Sequence, residues 1–68
     1  MDNIKLGLRI KKIREEHNVK QADLAIYLKI DRTTLSHYES GFRVPGIFVV
    51  WKIADYFNMS IDELVGRK

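Results

Sequence analysis

Cysteine is absent from this sequence of 68 residues, and proline occurs only once. The chain therefore forms neither a disulfide nor a zinc site with thiolate ligands, and so short a domain depends on its core or on oligomerisation for stability. Long hydrophobic runs are also lacking. The first segment, MDNIKLGLRIKKIREEHN, carries charges every few positions, which predicts neither a signal peptide nor a membrane span. A cytoplasmic protein with no membrane partner is expected.

The features of an enzyme are missing as well. No glycine-rich phosphate loop is present, and neither His17 nor His37 has a nucleophile and a carboxylate at a recognisable spacing. The two histidines are twenty positions apart and have no cysteine and no i, i+4 partner, so they do not match a zinc site. We therefore predict no catalytic residue, no metal site and no cofactor.

Charge is modest in amount but uneven along the chain. The formal net charge is +3. Residues 1–45 hold nine lysines and arginines against six acids, whereas residues 46–68 hold three of each. A positive excess on one part of a domain is typical of a surface that binds a polyanion. An excess of this size also fits an ordinary solvated surface, so charge alone does not decide between the two.

The segment QADLAIYLKIDRTTLSHYESG, residues 21–41, reads as two short helices joined by a tight turn. Leu24, Ala25 and Leu28 fall at helical spacing on helix 2, which is expected at Gln21–Leu28. Asp31 is a good N-cap for helix 3. These apolar side chains are then expected to pack in the core. The outer face of helix 3 carries polar residues suited to contacts with phosphates and base edges.

Three further helices complete an all-α prediction. Helix 1 is expected from about Asn3 to His17, helix 4 from after Pro45 to about Phe57, and a short helix 5 after the S-x-x-E capping box that begins at Ser60. The predicted core stripe of helix 4 consists of Ile47, Val50, Ile53, Ala54 and Phe57.

The ends of these helices are predicted from single residues. Asn18 and Asn58 tolerate the left-handed conformation that follows a helix, so they are expected to end helices 1 and 4. Lys20 precedes helix 2 without a side-chain acceptor, which leaves that helix without the usual cap. Gly7 weakens helix 1 and is expected to mark a close contact.

The chain resembles the phage repressor and Cro type of helix-turn-helix domain, the family also named for the xenobiotic-response element. The resemblance covers about Leu6 to Val65 and is carried by residues spread over all five predicted helices. These are Leu6, Gly7, Arg9, Ile10, Ile13, Arg14, Gln21, Leu24, Ala25, Leu35, Glu39, Gly41, Pro45, Ile53, Ala54 and the SIDEL segment at 60–64. The resemblance implies one compact, five-helix, lambda-repressor-like domain over residues 1–68 that binds double-stranded DNA.

The resemblance also implies roles for individual residues of the helix-turn-helix. Arg32, Thr33 and His37 are expected to reach base edges. Arg32 opposes the dipole at the start of helix 3, which favours a use such as guanine recognition over a merely solvated position. Backbone contacts are expected at six further positions: Gln21, Thr34, Ser36, Arg43, Lys20 and Lys29. Arg14 and Glu39 match a pair that forms a structural ion pair between helix 1 and the end of helix 3.

The chain departs from the family pattern at several positions. Lys20 stands where Ser or Thr is common, Lys29 where Gly is common, and Gly46 where Ser is common. Lys29 is thereby predicted to occupy a strained turn position.

Helix 4 has more apolar residues than one face can bury. Phe48, Val49 and Trp51 are therefore predicted to form a partner surface. The expected partner is a second copy, giving a repressor-type homodimer on a palindromic operator. The alternative is a protein-binding module or antitoxin that uses the same surface to hold a different protein.

Overall fold

The computed structural model describes residues 3–66, and within that range the chain forms five α-helices and no strand. The helices are α1 (Asn3–Glu16), α2 (Gln21–Leu28), α3 (Arg32–Ser40), α4 (Ile47–Tyr56) and α5 (Ile61–Val65). The predicted all-α, five-helix architecture is confirmed. None of these described helices has both the length and the apolar character needed to cross a membrane.

The helix ends lie close to the predicted positions because local chemistry determines them. Asn18 and Asn58 adopt left-handed conformations with φ of 56° and 55°. Ser60 accepts a hydrogen bond from the Glu63 amide, and the Glu63 carboxylate accepts one from the Ser60 amide, which completes the predicted capping box. Asp31 occupies the N-cap position of α3, but its side chain makes no capping hydrogen bond.

Eleven buried apolar residues, contributed by all five helices, form one core. The most completely enclosed are Ile10, Leu24, Leu35, Ile53 and Leu64, one from each helix. Because each helix buries at least one large aliphatic side chain, the five elements support one another rather than forming separate units.

The orientation of α4 differs from the prediction. Ile47, assigned to the core stripe, is 64% exposed, whereas Val49, assigned to the outer surface, is half-buried against the core. The buried stripe is Val50, Ile53, Ala54 and Phe57, and the half-buried Val49 packs against it. The expectation for Ile47 was wrong, because the packing of α4 against α2 and α5 decides which side of the helix is covered.

Helix α1 approaches the end of α3 at Gly7. A Cβ atom on Gly7 would overlap the carbonyl oxygen of Tyr38 and would lie 2.6 Å from that of Glu39. Only a residue without a side chain allows this approach. The predicted close contact at Gly7 is therefore present, and it fixes the position of α3 relative to α1.

Candidate nucleic-acid interface

The turn between α2 and α3 is closed by backbone hydrogen bonds around Lys29. Lys29 is left-handed with φ of 59°, its amide donates to the Ile26 carbonyl at 3.1 Å, and the Ile30 amide donates to the Ala25 carbonyl at 3.0 Å. This is the strained position that the sequence predicted, occupied by a lysine instead of a glycine. The result is that α3 leaves the turn in a fixed direction, with Leu35 fully buried beneath it.

The outer side of α3 presents a row of polar side chains. Arg32 and Thr33 are exposed, and Thr34, Ser36 and His37 are half-buried. Thr33, Ser36 and His37 fall at i, i+3 and i+4, so they share one face of the helix. The structure thus brings the three predicted base readers and two predicted backbone contacts together on α3.

A buried ion pair holds the end of α3 against α1. Arg14 Nε donates to Glu39 Oε2 at 2.6 Å, and Arg14 Nη2 donates to Glu39 Oε1 at 3.1 Å. Arg14 Nη1 also donates to the Val19 carbonyl at 2.8 Å. The pair predicted from the family resemblance is present with both side chains almost entirely buried. A two-point contact of this kind fixes orientation as well as distance.

Gln21 extends this network to the protein surface. Its Nε2 donates to Glu39 Oε1 at 2.8 Å, and its Oε1 accepts a long hydrogen bond of 3.4 Å from Arg32 Nη1. The side chain of Gln21 is therefore oriented by the buried carboxylate, which sequence reasoning had not anticipated. The first turn of α2 lacks a side-chain cap, so its backbone amides face outward as a favourable place for a phosphate.

The loop after α3 folds back on His37. The Arg43 amide and the Ser40 hydroxyl both donate to the His37 carbonyl, at 3.1 Å each, and the Phe42 amide donates to Ser40 Oγ at 3.3 Å. The Phe42 ring lies 4.9 Å from the His37 ring between centroids. Arg43, a predicted backbone contact, is exposed in this loop.

Phe42 is a residue that sequence reasoning missed. It is 74% exposed although it is a large apolar side chain. The available signal was its place in the sequence, next to a helix-ending glycine and beside Arg43.

The two remaining predicted backbone contacts flank α2. Lys20 is its N-cap residue and Lys29 its C-cap residue, and both are exposed. They therefore lie at opposite ends of an eight-residue helix, about 13.5 Å apart along its axis for nine steps of about 1.5 Å each.

A separate apolar surface lies on α4. Phe48 is 72% exposed and Trp51 is 58% exposed, and together with Lys52 and Asp55 they line a shallow cavity of about 250 Å³. Val49, the third predicted member of this surface, is half-buried against the core.

The histidines have different surroundings. His17 Nδ1 lies 2.8 Å from the Ile13 carbonyl oxygen and its ring contacts Phe57, whereas His37 contacts Phe42. No cluster of three histidine, aspartate or glutamate residues suited to a metal occurs within residues 3–66.

The chain is similar to known proteins in both sequence and structure. A family model described as helix-turn-helix, HTH_3, matches residues 10–64. The transcriptional regulator ImmR of Bacillus subtilis is 34% identical over 62 residues, covering 91% of this chain and 49% of that protein. The cryptic phage CTXphi transcriptional repressor RstR of Vibrio cholerae is 39% identical over 64 residues, covering 94% and 57%. The chain thus spans about half the length of the curated relatives it matches.

The restriction-modification controller protein C.AhdI from Aeromonas hydrophila has a similar solved structure. The two structures superpose with a TM-score of 0.83 at 26% sequence identity, over 90% of this chain and 92% of that one. The similarity therefore extends over almost the whole of both chains.

Proposed function

The chain belongs to the HTH_3 helix-turn-helix family of DNA-binding transcription regulators, and from this premise we propose that it binds a palindromic operator as a dimer, with α3 in the major groove. The observation that carries the proposal is the polar row on α3, held rigidly from behind by the buried Arg14–Glu39 pair. A rigid helix with exposed donors is what base recognition requires, because each bidentate contact depends on correct orientation.

The proposed contacts fall into two groups. Arg32, Thr33 and His37 read base edges, with Arg32 reading a guanine. The backbone contacts are made by Gln21, Thr34, Ser36, Arg43, Lys20 and Lys29. The exposed basic residues of this second group supply affinity that does not depend on base sequence and weakens as salt rises.

The Gln21 side chain has a specific part in this arrangement. Since its Nε2 donates to Glu39 and its Oε1 faces Arg32, the phosphate at this position is bound chiefly by the backbone amides at the start of α2. The side-chain amide of Gln21 then limits the orientations of the Arg32 guanidinium in the protein without DNA.

Selection of bound sites from random duplex DNA, at one stated salt concentration, tests the proposal. The wild-type protein is expected to enrich a palindrome whose half-sites are about 34 Å apart between centres. Arg32→Ala is expected to relax the preference at one symmetric position in each half-site and to cost about 1–3 kcal/mol there.

Lys12→Ala is the matched control, because Lys12 is an exposed basic residue on α1 outside the proposed interface. It is expected to leave the enriched sequence unchanged. Absence of any enriched sequence, or an Arg32→Ala variant that weakens all sequences alike, would contradict the proposal.

A second candidate function is supported by the exposed Phe48 and Trp51. A protein-binding module or antitoxin would use this surface to hold a different protein. In that case Arg32→Ala and His37→Ala leave partner binding intact and Phe48→Glu abolishes it, while no operator is enriched.

A further inference from the structure

Phe42 is an apolar ring placed among polar, DNA-facing side chains. It lies in the loop that follows α3, is 74% exposed, and has the half-buried His37 on one side and the exposed Arg43 next along the chain. Its described ring contact is with His37, not with the aromatic residues of α4. The α4 cavity lined by Phe48 and Trp51 does not include it.

The position of Phe42 is set by the backbone. Gly41 turns the chain at φ of 84°, and Arg43, which follows Phe42, is tied to α3 because its amide donates to the His37 carbonyl. The same carbonyl accepts from the hydroxyl of Ser40, the last residue of α3. The Phe42 amide itself donates to Ser40 Oγ. The ring is thereby held at the end of the row formed by Thr33, Ser36 and His37.

The chemistry of the major groove limits what such a ring can recognise. Base edges there present hydrogen-bond donors and acceptors, and the one apolar group among them is the C5-methyl of thymine. A phenyl ring has no hydrogen-bond donor with which to contact a phosphate. The His37 and Phe42 ring centroids are 4.9 Å apart, which lies between the roughly 3.4 Å spacing of one base step and the spacing of two steps.

We propose that Phe42 determines specificity by packing on a thymine methyl next to the base pair that His37 faces. This inference rests on the proposed function, since it requires α3 in the major groove. It adds a reader outside the helix-turn-helix and explains an exposed phenylalanine that the core does not use.

Deoxyuridine scanning of the selected operator tests the proposal directly, since deoxyuridine differs from thymidine only by the methyl group. Each thymine is replaced in turn, and binding of the full chain is measured for wild type, Phe42→Ala and Phe42→Leu. At one position per half-site, loss of the methyl is expected to weaken wild-type binding about fourfold, the effect of one buried methyl group. Phe42→Ala is expected to show no such loss there, and Phe42→Leu to retain part of it.

Ile26→Ala is the matched control, because Ile26 is equally exposed but lies on α2 and is not among the residues proposed to contact DNA or a second copy. It is expected to keep the full deoxyuridine penalty. If an Arg32-dependent operator is enriched but no thymine distinguishes Phe42→Ala from wild type, the role of Phe42 is refuted while the proposed function stands. If no operator is enriched, both fail.

A contact of Phe42 with a second subunit is the remaining explanation. The dimer dissociation constant of Phe42→Ala, measured by sedimentation, distinguishes it from a DNA contact. An unchanged constant together with the lost penalty supports the DNA contact. A weakened dimer that keeps the penalty places Phe42 in a subunit interface and overturns the inference.

Discussion

Gly7 allows α1 to lie against the end of α3, the proposed DNA-reading helix, because it has no side chain. Since an added Cβ would meet the carbonyl oxygens of Tyr38 and Glu39, Gly7→Ala is expected to push α1 away from the end of α3. The better helix propensity of alanine offers about 1 kcal/mol, but overpacking against backbone costs about 1–3 kcal/mol. We expect a net loss of stability in urea unfolding, accompanied by weaker specific DNA binding.

Gly46→Ser is the control for that substitution. A Cβ at Gly46 meets nothing within 4 Å, and the residue is the N-cap of α4, where serine is favourable. This variant is expected to be as stable as wild type or slightly more stable. A Gly7→Ala protein that equals wild type in both stability and DNA binding would show that α1 can shift away from the end of α3 without loss of stability.

The residues of the buried network show which contacts a sequence can predict. The Arg14–Glu39 pair was expected because the family resemblance includes both positions. The bond from Gln21 to Glu39 was not, since a glutamine amide has several donors and acceptors and its choice among neighbours depends on three-dimensional distances. Phe42 was missed for the same reason: its contact with His37 arises from the fold of the loop.

At the level of elements, Lys29 at the end of α2 is expected to have opposite effects on stability and on DNA binding, lowering the first and strengthening the second. A non-glycine residue in the left-handed region costs roughly 1–2 kcal/mol, and Lys29 has φ of 59°. Lys29→Gly is therefore expected to raise the free energy of unfolding by about 1 kcal/mol. The same change removes a proposed phosphate contact, so affinity should fall equally for all DNA sequences. The slope of the logarithm of the binding constant against the logarithm of salt concentration should become shallower by about one unit.

Asn18→Gly is the matching change at the end of α1, where φ is 56°. Because asparagine tolerates this conformation, its replacement is expected to alter stability far less than Lys29→Gly. Chemical denaturation of both variants, with titrations of one operator at several salt concentrations, gives the comparison. Equal stabilities for Lys29→Gly and wild type would mean that the left-handed turn is not strained by lysine.

The boundaries of the helices were more predictable than their orientation. Asn18, Asn58 and Ser60 end or begin helices through their own side chains or backbone preferences, so the sequence alone indicated them correctly. No local sequence feature indicated that Ile47 would be exposed or that Val49 would be half-buried. A helix as apolar as α4 has no unique buried face, and its rotation is determined by the helices packed against it.

The size of the whole molecule bears on how it could read an operator. The described part of the chain has principal extents of 28 × 24 × 21 Å, so it is shorter in every direction than the roughly 34–36 Å between successive major-groove half-sites on one side of DNA. A single copy of this domain is therefore expected to cover one half-site of the proposed operator. Two copies in contact can place their α3 helices one turn apart, which requires an interface beside the DNA-facing side.

The α4 surface is the proposed place for that interface, and Phe48→Glu is expected to disrupt it. A charge at the centre of an apolar contact opposes burial, so this variant should sediment as a monomer at concentrations where wild type is a dimer and should bind a full palindrome no better than a half-site. Ile26→Glu is the control, since Ile26 is 75% exposed on α2 outside this surface and its replacement should preserve dimerisation. Dimers of Phe48→Glu with undiminished preference for the palindrome would exclude α4 as the subunit interface.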